Sequence, residues 1–348
     1  MKRRGFLQGL IGAAALPAAV GRLVAEDRSE NRPRQSLVLP NGLSKGSTIG
    51  VVAPASSTNS ADMREFASAC SQFGWNVKFG PNVTKRNGYL SAPDADRAHE
   101  FMAFIEDPAI DGIICARGGY GVMRILPMLD FSVIREARKV IMGFSDITAL
   151  LIAAYQLSGL VTFHGPVASS TFDEFTVASM MGCLTSPTDD ARRGGTTFKD
   201  ERLTVLGNGI ARGRLVGGNL AMIASTLGTR YEIDTTGAIL FLEEISEEPY
   251  RVDRLLTQLW LAGKLQCCAG IALGNFRDCE SKGLSFSEPS FTLQQVFEER
   301  ISSLGIPAVY GLPFGHVKSK LTLPLGVEAE LDATSRTFRL VQPSVSKV

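Results

Sequence analysis

Lys139-Val140-Ile141-Met142-Gly143-Phe144-Ser145-Asp146-Ile147-Thr148 reads as a buried strand, a sharp turn, and the opening of a helix that runs from Ile147 to Leu157. The apolar run is too short for a helix and shows no polar alternation, which marks a strand covered on both faces. The same unit recurs upstream. Thr48 to Ala53 is a short apolar strand stopped by Pro54, followed by helical spacing from Asp62 to Phe73. Trp75 to Phe79, Gly112 to Cys115 and Lys139 to Met142 read as further strands, separated by helices over Ala95 to Glu106 and Tyr120 to Leu129. Continuous apolar strands joined by helices predict an α/β fold with a mostly parallel sheet flanked by helices.

Downstream of about residue 170 the pattern loosens, and Thr185-Ser186-Pro187-Thr188 with Arg192-Arg193-Gly194-Gly195 marks a boundary of turn formers and polar residues. A second α/β unit follows. Its strands are Gly213 to Val216, Ala238 to Leu242 and Gly270 to Leu273, and its helices lie near Asn219 to Leu227, Val252 to Ala262 and Thr292 to Leu304. The expected layout is a leader over 1–25, a linker over 26–45, an N-terminal domain over 46–185, a linker over 186–205 and a smaller C-terminal domain over 206–342.

The leader differs from everything after it. Lys2-Arg3-Arg4-Gly5-Phe6-Leu7 precedes an Ala-rich apolar run from Leu10 to Val20, the layout of an export signal. The Arg3-Arg4 pair resembles the bacterial twin-arginine signal, which predicts a periplasmic protein with no stable membrane span once the signal is removed. The full 348-residue chain, 45% hydrophobic and 20% charged, can bury a sizeable core. Thirty-six Lys plus Arg against 35 Asp plus Glu leaves no electrostatic footprint for nucleic acid, so a small-molecule partner is expected. The six cysteines lack a framework spacing and sit mostly in apolar contexts, which favours buried free thiols.

A serine at a strand-to-helix turn is well placed as a nucleophile. The helix N-terminus favours developing negative charge, and the N–H of Asp146 can bind an oxyanion. The G-x-S-x-G elbow is incomplete, because Ile147 stands at the second glycine, and a serine here can instead cap the following helix. A base is required, and there are three histidines. His99 lies in a charged helix. His164 follows an apolar strand and either lines a site or bonds to backbone. His316 sits in Gly311-Leu312-Pro313-Phe314-Gly315-His316, a loop stiff enough to aim an imidazole. A carboxylate at the end of a buried strand would orient it, which points to Glu243, with Glu244 as competitor. Ala116-Arg117-Gly118-Gly119-Tyr120-Gly121 has neither G-x-G-x-x-G spacing nor a Walker lysine. Its glycines let backbone approach a substrate and lend the Gly119 N–H to an oxyanion hole. No pattern of metal ligands is present in the sequence.

These segments together resemble the LD-carboxypeptidase family of serine peptidases, which also includes the microcin C immunity hydrolases. The resemblance runs in order through Gly46 to Pro54, Gly88-Tyr89-Leu90, Asp107-Pro108, Ala116 to Gly121, Gly143-Phe144-Ser145-Asp146, His164-Gly165-Pro166, Gly217-Gly218-Asn219, Pro249 to Arg254 and Leu312 to His316. It implies Ser145 as nucleophile, Glu243 as the group orienting the base and His316 as base. It also implies a flavodoxin- or amidotransferase-like N-terminal domain, a swivelling C-terminal domain, a homodimer, and no metal or cofactor. The implied reaction is hydrolysis between an L-centre, such as a diamino acid, and the terminal D-alanine of a murein tetrapeptide. A free substrate carboxylate needs a cation, for which Arg117 and Arg251 are candidates, with Tyr120 as a further substrate contact. Two alternatives remain: cleavage of aminoacyl-nucleotides, and non-catalytic binding of a muropeptide. The chain departs from the family pattern at Ser246, where relatives commonly have Gly, and in the loop Val317-Lys318-Ser319-Lys320, which lies near the expected base.

Overall fold

The computed structural model describes residues 35–185, 197–281 and 290–347, so the leader over 1–25 lies outside the described residues. In chain order the first half contains β1 (Thr48–Val52), α1 (Ser60–Phe73), β2 (Asn76–Phe79), α2 (Asp94–Glu106), β3 (Gly112–Cys115), α3 (Val122–Ile125), α4 (Phe131–Ala137), β4 (Val140–Gly143), α5 (Thr148–Ser158), β5 (Thr162–His164) and α6 (Glu174–Leu184). The second half contains β6 (Thr197–Lys199), β7 (Thr204–Gly207), β8 (Ile210–Asn219), α7 (Leu220–Ser225), β9 (Ile239–Ile245), α8 (Pro249–Leu261), β10 (Gly270–Arg277), α9 (Leu293–Arg300), β11 (Ala308–Tyr310), β12 (Leu323–Leu325), β13 (Glu328–Asp332) and β14 (Thr337–Leu340).

Two sheets organise these elements. The first has the order β12-β5-β4-β3-β1-β2, and its five N-terminal strands are parallel. Strands β3 and β4 are buried at every residue, as expected for a parallel sheet with helices on both faces. Chain order reverses between β1 and β3, and in such sheets the crevice beyond the carboxyl ends of the strands at a reversal takes ligands. The second sheet, β6-β14-β13-β8-β9-β10-β11-β7, has a parallel centre from β8 to β11 and antiparallel edges.

Helix α5 joins the two halves. It is apolar all round, with Thr148 to Ala154 buried, because it is covered by the first sheet on one side and by the second half on the other. Thr148 Oγ1 accepts the Asn219 N–H at 3.0 Å, and Gln156 both donates to Glu232 O and accepts from Asp234 N. Gly159, at φ 74°, ends the helix in a left-handed cap.

Four expectations are corrected. The helix predicted from Tyr120 is confined to Val122–Ile125 and breaks into a 3₁₀ turn over Leu126–Met128, where Pro127 removes a donor. Helix α4 was not anticipated, although Asp130 caps it by accepting the Ser132 and Val133 N–H groups. The helix expected from Thr292 to Leu304 closes at Arg300. The two linkers are partly structural. Val38 and Leu43 bridge to Leu160 and Thr185, with Leu43 buried, and β6 and β7 fall within 197–207 as edge strands. In addition β12, expected in the C-terminal domain, pairs with β5 of the first sheet through Leu323 and His164. All six cysteines are unbridged. Among the described residues no helix is long and apolar enough to cross a membrane, and no cluster of three or more His, Cys, Asp or Glu side chains could hold a metal ion.

Candidate active site

The carboxyl end of β4 delivers Ser145. Gly143 makes room for the turn, since a Cβ there would lie 2.8 Å from Ile147 Cγ2. Phe144 is extended (φ −152°, ψ −175°) and Ser145 then adopts φ 64°, a left-handed conformation for a residue with a side chain. Holding a non-glycine residue there costs about 1–3 kcal/mol, which the packed strand and helix on either side sustain. A 3₁₀ turn over Ser145–Ile147 leads into α5, and no side-chain cap bond forms at its start. The N-cap positions fall at Phe144 for the turn and Ile147 for the helix, so the Ser145 hydroxyl caps neither.

The glycine loop after β3 closes over this turn. A Cβ on Gly118 would stand 2.8 Å from Ser145 Cβ and 3.0 Å from its Oγ, so only glycine admits so close an approach. Gly119, at φ 109°, faces Ser56, whose Oγ donates to Tyr89 O and accepts from Tyr120 N. The Gly119 N–H, in the loop, has no acceptor among the described residues. Asp146 Oδ2 accepts the Val122 N–H at 2.9 Å and ties the serine turn to the glycine loop. Burial pushes the Asp146 carboxyl up to about 6.

Strand β9 is buried from Ile239 to Glu244, and alternation along it sends its two glutamates to opposite faces. Glu243 is 0% exposed, and its Oε2 lies 2.7 Å from His316 Nδ1. Glu244 faces α7, accepting from Asn219 Nδ2 (2.9 Å), Ala221 N (2.8 Å) and Ile245 N (2.9 Å). The histidine loop is closed at its base by Leu321 N–H donating to Pro313 O at 2.7 Å. Gly315, at φ 90°, lets it touch the glutamate: a Cβ there would lie 2.5 Å from Glu243 Oε2. The His316 ring packs edgewise on Phe144, centroids 4.9 Å apart, so the imidazole sits against the residue that precedes Ser145. No hydrogen bond joins Ser145 Oγ to His316 here; such bonds commonly tighten only around substrate.

The structure thus brings Ser145 with Asp146, Glu243, His316 and Gly119 together from four separate segments. Tyr120 is exposed on the glycine loop, its ring edge-on to Tyr89 at 5.5 Å, and Arg117 is exposed beside it. Arg251 is exposed at the start of α8, where it donates to Tyr250 Oη and pairs with Glu247. His99 is exposed on α2. His164 makes no backbone bond: it is 1% exposed, neither ring nitrogen has a partner, and it packs among Phe144, Phe241 and Phe314. Burial pushes it down to about 4 and keeps it neutral.

One residue, placed near the site by sequence but given no role there, is buried in it. Lys320 is 5% exposed, and its Nζ stands 4.4 Å from the centroid of the Phe144 ring. Burial pushes its ammonium down to about 8, against the opposing pull of Glu243 and Asp173. Its only sequence signal was position, four residues beyond His316 in a loop that otherwise looks polar.

Two family profiles match the chain: the LD-carboxypeptidase N-terminal domain over residues 49–165 and the LD-carboxypeptidase C-terminal domain over 212–331. A probable murein peptide carboxypeptidase of Bacillus subtilis is 38% identical over 308 residues, covering 88% of this chain and 95% of the relative. The murein tetrapeptide carboxypeptidase of Pseudomonas aeruginosa is 30% identical, covering 82% and 92%. Among solved structures, MccF in complex with glutamyl sulfamoyl guanosine superposes with a TM-score of 0.79 at 25% identity, covering 88% of this chain and 99% of that one. The muramoyltetrapeptide carboxypeptidase of Oxalobacter formigenes does so with a TM-score of 0.74 at 31% identity, covering 84% and 98%.

Proposed function

The chain belongs to the LD-carboxypeptidase family, and from that premise we propose that it is a serine carboxypeptidase releasing the terminal D-alanine of murein tetrapeptides from an L-configured centre. The observation that carries this reading is the buried Glu243–His316 pair, 2.7 Å apart, set against the turn in which Ser145 is held at φ 64°. In the proposed reaction His316 takes the Ser145 hydroxyl proton through the ring nitrogen not bonded to Glu243, as Oγ attacks the scissile carbonyl. Glu243 fixes the tautomer and stabilises the imidazolium. The N–H groups of Gly119 and Asp146 receive the oxyanion. Collapse breaks the amide C–N bond, and His316 passes its proton to the departing D-alanine nitrogen. Water, deprotonated by His316, then hydrolyses the acyl-serine ester and regenerates the hydroxyl.

Ser145→Ala tests this reading. D-alanine release from a tetrapeptide should fall on the order of a millionfold, while thermal unfolding stays close to wild type. Retained turnover would overturn the assignment.

A second reading is favoured by the MccF likeness: cleavage of aminoacyl-nucleotides by the same three residues. An export signal over 1–25 weighs toward the murein reading, because it would carry the enzyme to the side of the inner membrane where the wall lies. Turnover of an aminoacyl sulfamoyl adenosine set beside turnover of a tetrapeptide separates the two.

A further inference from the structure

A carboxypeptidase must recognise the free carboxylate next to the bond it cleaves, and a cation already held beside the nucleophile is the group that does so most economically. The two arginines considered from sequence are exposed, and Arg251 is engaged with Glu247 and Tyr250. Lys320 differs from both. Its backbone is fixed by the N-terminal half: Lys320 N donates to Thr176 Oγ1 at 3.0 Å, and the neighbouring Ser319 hydroxyl donates to Asp173 at the start of α6. Its ammonium lies over the Phe144 ring, one residue from Ser145, and that same ring packs on His316.

Burying an ammonium is costly unless an anion or several hydrogen bonds compensate. Lys320 has no ion-paired carboxylate among the described residues. Glu243 and Asp173 attract the ammonium without forming an ion pair with it: Glu243 Oε2 is taken by His316 while its Oε1 has no hydrogen-bond partner, and Asp173 is taken by Ser319 and the Thr176 N–H. The Phe144 face supplies only a partial substitute through its quadrupole. A nearly enclosed cation in contact with the residue before the nucleophile is thus left short of an anion, and the substrate class brings one.

We propose that Lys320 is the residue that binds the terminal α-carboxylate of the substrate and so restricts the enzyme to the last residue of a peptide. The proposal rests on the carboxypeptidase reading above. It gives a role to the anchoring of the loop after His316 to α6: one loop presents both the His316 imidazole and the Lys320 ammonium to the departing D-alanine.

The test uses full-length protein carrying Ser145→Ala, so that ligand survives titration, with a murein tetrapeptide and its C-terminal carboxamide as the two probes. The acid should bind about 30-fold more tightly than the amide, the range expected for a charge-assisted contact. Adding Lys320→Met should abolish that preference by weakening the acid alone, and Lys320→Arg should retain part of it. In the Ser145 enzyme, Lys320→Met should raise KM for the acid with a smaller change in kcat. A ratio of acid to amide binding unchanged by Lys320→Met, or an equal weakening of both probes, overturns the proposal while leaving the carboxypeptidase reading intact. If neither probe binds Ser145→Ala and the Ser145 enzyme cleaves neither, the carboxypeptidase reading fails and this anchor fails with it. Thermal unfolding of each variant, together with the independent neutral substitution Lys320→Gln, separates these outcomes from misfolding.

Discussion

Gly315→Ala is the substitution whose consequence can be worked most directly from the geometry. At φ 90° the new residue bears backbone strain of about 1–3 kcal/mol wherever its side chain points. Its Cβ also lands 2.5 Å from Glu243 Oε2 and 2.7 Å from Glu243 Cβ and Cγ, whereas ordinary contact begins at 3.4 Å. The glutamate is 0% exposed, on a strand paired on both sides, so its backbone cannot retreat. The carboxylate or the histidine loop must therefore move by roughly 1 Å, a misplacement that costs on the order of a hundredfold in rate when it falls on catalytic groups.

Gly311→Ala provides the control within the same loop. It sits at φ 103°, and a Cβ there meets nothing nearer than Leu203 Cδ2 at 3.7 Å. The two variants share the strain and differ in the clash. D-alanine release and thermal unfolding measured on both should show similar losses of stability. Gly315→Ala should lose on the order of a hundredfold in kcat, and Gly311→Ala no more than a few-fold. Equal kcat values for the two variants would refute the idea that contact with Glu243 sets the histidine geometry.

The two adjacent glutamates should separate in the same assays. Glu243→Gln should lower kcat on the order of ten-thousandfold with little change in melting, as expected when the partner that fixes the imidazole tautomer is removed. Glu244→Gln should lower the melting temperature, through weakened contacts to Asn219 and Ala221, and leave kcat within a few-fold; the reverse pattern would exchange their roles. The buried His164 makes stability fall with acid, because below pH 6.5 the unfolded chain binds a proton that the folded one refuses until about pH 4. That interval is worth about 3 kcal/mol. Asp146, pushed up to about 6, acts in the opposite direction over part of the same range, so the difference between wild type and His164→Leu is what isolates the histidine. Chemical denaturation at pH 7 and at pH 4 should show that difference changing by about 3 kcal/mol; parallel curves would count against a neutral, unpaired His164.

What could be read from sequence was whatever local pattern determines. Apolar runs marked β1, β3, β4, β9 and β10 because buried parallel strands need no alternation. Ser145 and His316 were legible because turn chemistry surrounds them. Glu243 and Glu244 could not be ranked locally, since the face each occupies depends on the register that sets Asn219 opposite Glu243. Strand β12 was hidden by its length and by Pro324, which a sheet tolerates at an edge. Lys320 was hidden for a related reason. Its burial is imposed by Thr176, 144 residues earlier, and a lysine in a polar loop carries no mark of such a contact.

The position of β12 bears on how the site is assembled. His316 stands on a loop that leaves the second sheet, where Gly311 and Leu312 N–H groups donate to Leu273 O and Asn275 N–H donates to Phe314 O. The loop ends on the first half, where Lys320 and Thr322 N–H groups donate to Thr176 and Ser179, and β12 then pairs with β5. Strand β5 also pairs with β4, the strand that delivers Ser145. The nucleophile and its proposed base are consequently tied through one sheet as well as across the contact between the two halves. Movement of the halves alone cannot alter the distance from Ser145 to His316 without distorting the short span from Gly311 to Ser319. A closure that tightens the Ser145–His316 contact around substrate must therefore be absorbed inside that span. The bond from Leu321 N to Pro313 O restricts it further, to the residues from Phe314 to Lys320 that present the imidazole and the ammonium.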